Sequence, residues 1–176
     1  MAGTNQIPER LINFRVYRDG NDLLGAANVT LPNLEAMSDT TSGAGIAGEV
    51  ETPVLGHYGS MTVTIQWRTI TGDVTTLARQ ESHALDIRGS IQVNDASLGK
   101  LVTVPVKLTI RAMPKNVTLG SFEVGATTDT ETELEVTYLK LDINGETRVE
   151  IDKYNFIASF GGEDALATVR KDLGIG

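Results

Sequence analysis

Leu85-Asp86-Ile87-Arg88-Gly89-Ser90-Ile91-Gln92-Val93-Asn94 alternates strictly: leucine, isoleucine, glycine, isoleucine and valine at odd positions, polar or charged residues at even ones. An extended chain points successive side chains to opposite faces, so this run predicts a strand with one face on a core and the other in a polar environment. The same rhythm continues on either side. Val102, Val104, Val106, Leu108 and Ile110 alternate with Thr103, Lys107, Thr109 and Arg111. Val63, Ile65 and Trp67 oppose Thr62, Thr64, Gln66 and Arg68, while Phe14 and Val16 oppose Asn13, Arg15 and Tyr17. Strand signals recur without a long helix between them, which predicts a mainly β chain built as an antiparallel sandwich or barrel. Pro105 has no N–H to give a ladder, so its strand is expected at an edge, or bulged near its start.

Turn chemistry divides the strands. Asp19-Gly20-Asn21 separates the first from a second around Leu23–Thr30. Asn144-Gly145 carries the strongest hairpin signal, because a type I′ turn needs positive φ at both central residues. It joins Thr130–Ile143 to Glu146–Asp152. Within Thr130–Ile143 the apolar positions change parity, from Leu134, Val136 and Tyr138 to Leu139, Leu141 and Ile143. Either a β-bulge re-aims the second half, or that half turns its apolar face to a neighbouring subunit.

Two short helices are expected. One covers Val74–Arg79 after the cap signal Thr71-Gly72-Asp73; the other covers residues 162–173. In the second, Glu163 and Asp164 would lie in the first turn, Arg170 and Lys171 in the last, and Gly174 just past the end. Leu166, Val169 and Leu173 form its apolar stripe, which must dock on the sheet or on a partner. Residues 35–60 carry five glycines and few large apolar side chains, and read as a long loop, mobile in a lone monomer and ordering on assembly. The 176 residues thus form one domain with an N-terminal arm (1–12), a long loop (35–60) and a C-terminal helix (162–173).

Composition bounds the function. Fifteen basic against 23 acidic residues leave a net charge of −8, which argues against a nucleic-acid binder, whose affinity rests on Lys and Arg. The absence of cysteine removes disulfide, thiolate-metal and cysteine-nucleophile chemistry. No membrane-spanning run or signal-peptide pattern is present, and the expectation is a soluble product made in the cytoplasm. His57 and His83 have no second ligand at metal-binding spacing. Asp19-Gly20-Asn21-Asp22 lacks the distal Glu of a calcium loop. Neither a phosphate-binding glycine loop nor a nucleophile elbow occurs, so the expectation is no enzyme, no metal and no cofactor. Glu131, Glu133 and Glu135 share one face of one strand, a spacing too flat to wrap a cation, and read as a solvated or channel-facing acidic strip.

Particular blocks resemble a known family. Ile7-Pro8-Glu9-Arg10-Leu11, Asp19-Gly20 and Val29-Thr30-Leu31-Pro32-Asn33-Leu34 are similar to the opening of major tail tube proteins of P2-like contractile phages. Val104-Pro105-Val106 also fits. So do Tyr138-Leu139-Lys140-Leu141-Asp142-Ile143-Asn144-Gly145, Glu150-Ile151-Asp152 and the stretch from Gly162 to Gly174. The resemblance spans both ends and the middle; it departs in the Gly-rich loop and around Val74.

The resemblance implies a β-barrel-like sandwich that closes into homohexameric rings, stacked as a hollow tube inside a sheath. It implies as partners the chain itself, a tail sheath protein, a baseplate hub, a tape-measure protein and a tail terminator, with DNA only as transient cargo. The place implied is the tail of a virion or tailocin-type particle, assembled in the bacterial cytoplasm. Under this reading Glu131, Glu133, Glu135 and Asp86 are candidates to line the lumen. Ile46, Glu49, Val50, Val54 and Leu55 become candidates for ring-to-ring contact. Leu139, Leu141, Ile143, Leu166, Val169 and Leu173 become candidates for contacts between subunits. Two rivals stand beside it. One is a ring-forming tube protein of a secretion system; the other is a β-sandwich binding module, which nine aromatic residues in the whole chain disfavour.

Overall fold

A computed structural model describes residues 5–175. The alternating stretches all form strands: β1 (Gln6–Arg18), β2 (Asp22–Leu24), β3 (Ala26–Thr30), β4 (Ala36–Ser42), β5 (Glu49–Tyr58), β6 (Thr62–Trp67), β7 (His83–Asp95), β8 (Lys100–Thr118), β9 (Thr130–Ile143), β10 (Glu146–Asp152), β11 (Ile157–Phe160) and β12 (Glu163–Asp164). Helix α1 (Gly72–Leu77) sits between β6 and β7, and α2 (Ala167–Asp172) follows β12. One large antiparallel sheet runs β12-β11-β10-β9-β8-β7-β1-β2, with β3 and β6 branching from β9.

β9 organises the fold. Along one flank it pairs with β8; along the other, its first half pairs with β6 and its second half with β10. The handover lies at Thr137. Arg111 of β8 faces Tyr138 and the next residue, Ala112, faces Val136, so Thr137 is one residue too many. The bulge explains the change of parity: Leu134 and Val136 before it and Leu139 after it all point into the same core. Val136 N–H donates to the Met61 carbonyl, and the Thr137 carbonyl accepts from Lys153 N–H, so both flanking segments are tied in at the switch.

Because the sheet turns over at β9, β6 faces β1 and β7 across a single core. Val63, Ile65 and Trp67 meet Val16, Leu85, Ile87, Leu108, Ile110 and Leu139 there, with Val74 and Leu77 of α1 closing one end. The Trp67 indole N–H, which burial would otherwise orphan, donates to Thr132 Oγ1 at 3.0 Å. The stretch Leu23–Thr30 breaks at Gly25: β2 stays with β1, and β3 crosses to pair with β6.

Several sequence expectations are revised. Within the supposed N-terminal arm, residues 6–12 are the outer half of β1, paired to β7; residues 1–4 lie outside the described ones. The supposed loop 35–60 is largely an antiparallel hairpin, β4–β5. The C-terminal helix is shorter than 162–173, because Glu163 and Asp164 pair as a strand with Phe160 and Ser159. The Asp164 carboxylate accepts from Leu166 N–H, at 3.0 Å, and from Ala158 N–H. That local bond makes a turn where a helix would start. The edge expected at Pro105 is present locally: the residue lies opposite the β9–β10 turn, where its carbonyl accepts from Asn144 N–H. Its missing N–H costs nothing there, since pairing with β9 stops at Val106, and residues 100–105 form a local free edge.

Candidate assembly surfaces

Glu131, Glu133 and Glu135 lie half-buried on the outward face of β9, flanked by Gln66, Thr64 and Thr62 of β6. The strip is graded in charge. Ser60 Oγ donates to Glu135 at 2.5 Å, Met61 N–H donates to it as well, and Lys153 and Lys115 approach to 3.8 and 4.0 Å. Glu131 accepts a long bond from Gln66, and Glu133 stands between Thr64 and Asn116. The strip is therefore most negative at its Glu131–Glu133 end.

Asp86 does not join it. It faces outward from β7 but is only 9% exposed, bridged by Arg88 at 3.1 Å and Lys107 at 3.3 Å, and it accepts from Thr109 at 3.0 Å. Burial pushes its pKa up, and the bonds from Arg88, Thr109 and Lys107 outweigh that and hold it below the usual value. Asp86 thus acts as the counter-ion of two cations rather than as a bare negative charge. Sequence alternation gave the face correctly but could not show the two partners across the strand pair.

The hairpin β4–β5 carries Val50, Val54 and Leu55, with Ile46 at the tip between the strands, and every one of them is exposed. Glu49 and Glu51 are exposed too, and Ser38 Oγ donates to Glu51 at 2.5 Å. Only its base is anchored. Tyr58 stacks near Phe160 with ring centroids 5.9 Å apart, Lys153 Nζ donates to the Gly59 carbonyl, and the Leu166 side chain abuts Gly56. Gly56 adopts a φ of +67°, and a Cβ there would come within 2.5 Å of Leu166, so the base accepts no other residue without moving. A two-stranded ribbon with nothing behind it is marginal in water, so its outer length lacks a partner in the isolated subunit.

The candidates for inter-subunit contact separate. Leu139 and Leu166 are each 3% exposed within their own subunit, so they are not available. The Thr137 bulge turns Leu139 inward, and Leu166 seals the hairpin base. Leu141, Ile143 and Val169 are half-buried and Leu173 is exposed. His83, buried, bonds through Nε2 to the Arg79 carbonyl at 3.0 Å, and the His57 ring meets the Leu55 carbonyl.

Two features escaped sequence reasoning. Past the core, the inward faces of β1, β7 and β8 leave an apolar groove of about 210 Å³, lined by Leu11, Phe14, Ile91, Val106 and Leu141 together with Val29 and Leu31. The valine run of β8 hinted at it, but alternation cannot reveal where the covering layer ends. The β8–β9 connection, residues 119–129, displays Leu119, Phe122 and Val124 to solvent. Its apolar pair Phe122 and Val124, set among glycine and threonine, was the available signal.

With this arrangement in view, comparison with known proteins identifies the chain. Residues 8–174 match the family of phage tail tube protein FII. The tail tube protein of Escherichia phage P2 is 26% identical over 176 residues, covering 96% of this chain and 99% of that one. The fold is similar to two solved structures of an extracellular contractile injection system, PVC, in the extended state. These are its sheath-tube complex (TM-score 0.52, 17% identity, 77% of this chain and 91% of that one) and its sheath/tube terminator (TM-score 0.53, 15% identity, 77% and 96%). The chain belongs to the phage tail tube protein FII family and is a structural subunit of a contractile tail tube.

Proposed function

We propose that this subunit closes into sixfold rings that stack into a hollow conduit, and that the β4–β5 hairpin makes the ring-to-ring contact. The observation that carries the reading is the hairpin itself: a projecting ribbon, anchored at its base, whose apolar residues Ile46, Val50, Val54 and Leu55 are all exposed. A heterologous contact that closes makes a ring, and an open one makes a stack. Tail sheath protein, baseplate hub, tape-measure protein and tail terminator are the partners expected around such a tube, which would be assembled in the bacterial cytoplasm. The acidic strip Glu131–Glu133 is proposed to face the lumen. A negative wall does not hold phosphate, so DNA or an effector passes as cargo without binding.

Negative-stain electron microscopy beside light scattering tests this. Wild-type protein should show rings or hollow tubes, and replacing residues 37–57 with a short Gly-Ser linker should leave a folded subunit that forms no long tubes. Tubes of normal length from the linker variant would remove the hairpin from stacking. A map with Glu131 and Glu133 on the outer wall would reject the lumen assignment.

A further inference from the structure

We infer that the β8–β9 loop of one subunit docks Phe122 and Val124 into the apolar groove at the far end of a second copy of this chain. This rests on the tube-subunit reading, under which copies meet head to tail.

The loop is held in place by its own bonds. Ser121 N–H donates to the Thr128 carbonyl at 2.9 Å, Thr128 N–H donates to the Arg68 carbonyl at 3.0 Å, and Thr130 Oγ1 donates to the Leu119 carbonyl. Gly120 has φ +87°, and a Cβ there would fall 1.7 Å from the Thr128 oxygen, so only glycine fits the crossing. The result is a fixed turn whose tip holds a phenylalanine 87% exposed beside a fully exposed valine. An aromatic held out to water on a braced turn is unfavourable for a lone subunit and suits a buried contact.

The groove is the complementary surface: apolar, about 210 Å³, and open where the covering strand β3 ends. Along β8, residues 106 and 118 lie roughly 40 Å apart at ~3.3 Å per residue, so loop and groove cannot meet within one subunit. Charge favours the same orientation. No Lys or Arg occurs between Lys115 and Lys140, a span that holds Glu123, Asp129, Glu131, Glu133 and Glu135. At the groove end of the sheet Arg10, Arg15, Arg88, Lys100 and Lys107 stand against Glu9, Asp86, Asp95 and Asp142, so that end is close to balance. Two loop ends, both acidic, therefore repel, while a loop end meets a groove end without that repulsion, which favours head-to-tail contact.

The chain has no cysteine, so engineered pairs report contacts cleanly. Assembled protein carrying both Leu11→Cys and Phe122→Cys, oxidised and run on a non-reducing gel, should give a ladder of dimers and larger species. Each single variant should stay monomeric. An assembled double variant without cross-links would overturn the contact, as would Phe122→Cys cross-linking to itself. Independently, Phe122→Ser/Val124→Ser should keep the wild-type melting profile yet lose at least tenfold in tube yield. Tubes at wild-type yield would assign the loop to a different protein and overturn the inference. Wild-type protein that forms neither rings nor tubes would instead remove the self-assembly proposed above, and this contact falls with it.

Discussion

β8 passes through two environments. From Leu108 to Ala112 its inward side chains are buried under β6 and α1; from Val102 to Val106 the same face of the same strand is only half-covered. Both halves follow one alternating pattern, so both are built to be buried. The difference is what does the burying: the subunit's own second layer in one half, and in the other a surface that must come from outside. Period-2 alternation thus specifies a buried face without specifying whose residues bury it.

Substitutions in the two regions should separate stability from assembly. The largest loss of subunit stability is expected from Ile65→Ala or Ile110→Ala, each deleting a side chain of zero exposure. Each should cost about 2–5 kcal/mol in chemical denaturation. Should either cost less than Val104→Ala, on the same face in the half-covered part of β8, the division into closed and open halves would be mistaken.

Asp164→Asn comes next. It removes the carboxylate that meets Arg170 at 2.6 Å and accepts from Ala158 and Leu166, so a loss of about 2 kcal/mol is expected. The same group makes stability depend on pH. Burial works to raise the Asp164 pKa, and the Arg170 bond and backbone N–H groups of Leu166 and Ala158 more than offset it, leaving it lowered, as for Asp86. A carboxyl whose folded pKa lies below its unfolded value contributes fully above the unfolded pKa of about 3.9 and loses that contribution as pH falls through the folded one. Wild-type melting temperature should therefore be flat near neutrality and fall in acid below about pH 4. Asp164→Asn should show a smaller acid decline than wild type.

The reach of the sequence is uneven for physical reasons. Strands with one dry face announced themselves, and the parity change in β9 already pointed to a bulge as one of two explanations, without locating it at Thr137. The hairpin gave no such signal. Ala36-Met37-Ser38-Asp39-Thr40-Thr41-Ser42 has no apolar alternation, because neither of its faces is buried in the subunit. Glu163-Asp164 resembled a helix start because acidic residues favour that position, but here Asp164 spends its oxygens on a turn and on Arg170. Candidate surfaces were legible as faces and not as depths. Glu131 and Glu133 are half-buried on the outward face, whereas partners across the sheet cover Asp86, and Leu139 is inside.

The smallest change in stability is expected where the open region is altered. Val50→Ser or Leu55→Ser, in the exposed hairpin, should move denaturation by no more than about 0.5 kcal/mol. Tube formation, read by light scattering, should nevertheless fall. A large loss of stability at either position would mean that the hairpin is held along its length, and that the contrast drawn from β8 does not extend to it.

The extra residue at Thr137 has a consequence for how this chain can change length. Losing one codon from the first half of β9, with the bulge kept, would swap the two faces of everything downstream and bring Lys140 and Asp142 into the core. At Thr137 the loss would leave Leu134, Val136, Leu139 and Leu141 on one side and Glu135, Tyr138 and Lys140 on the other, with alternation unbroken. The position is a splice point in the strand. Among relatives of this chain, a one-residue gap in β9 should fall there, in subunits whose sheet bends less sharply between β6 and β10.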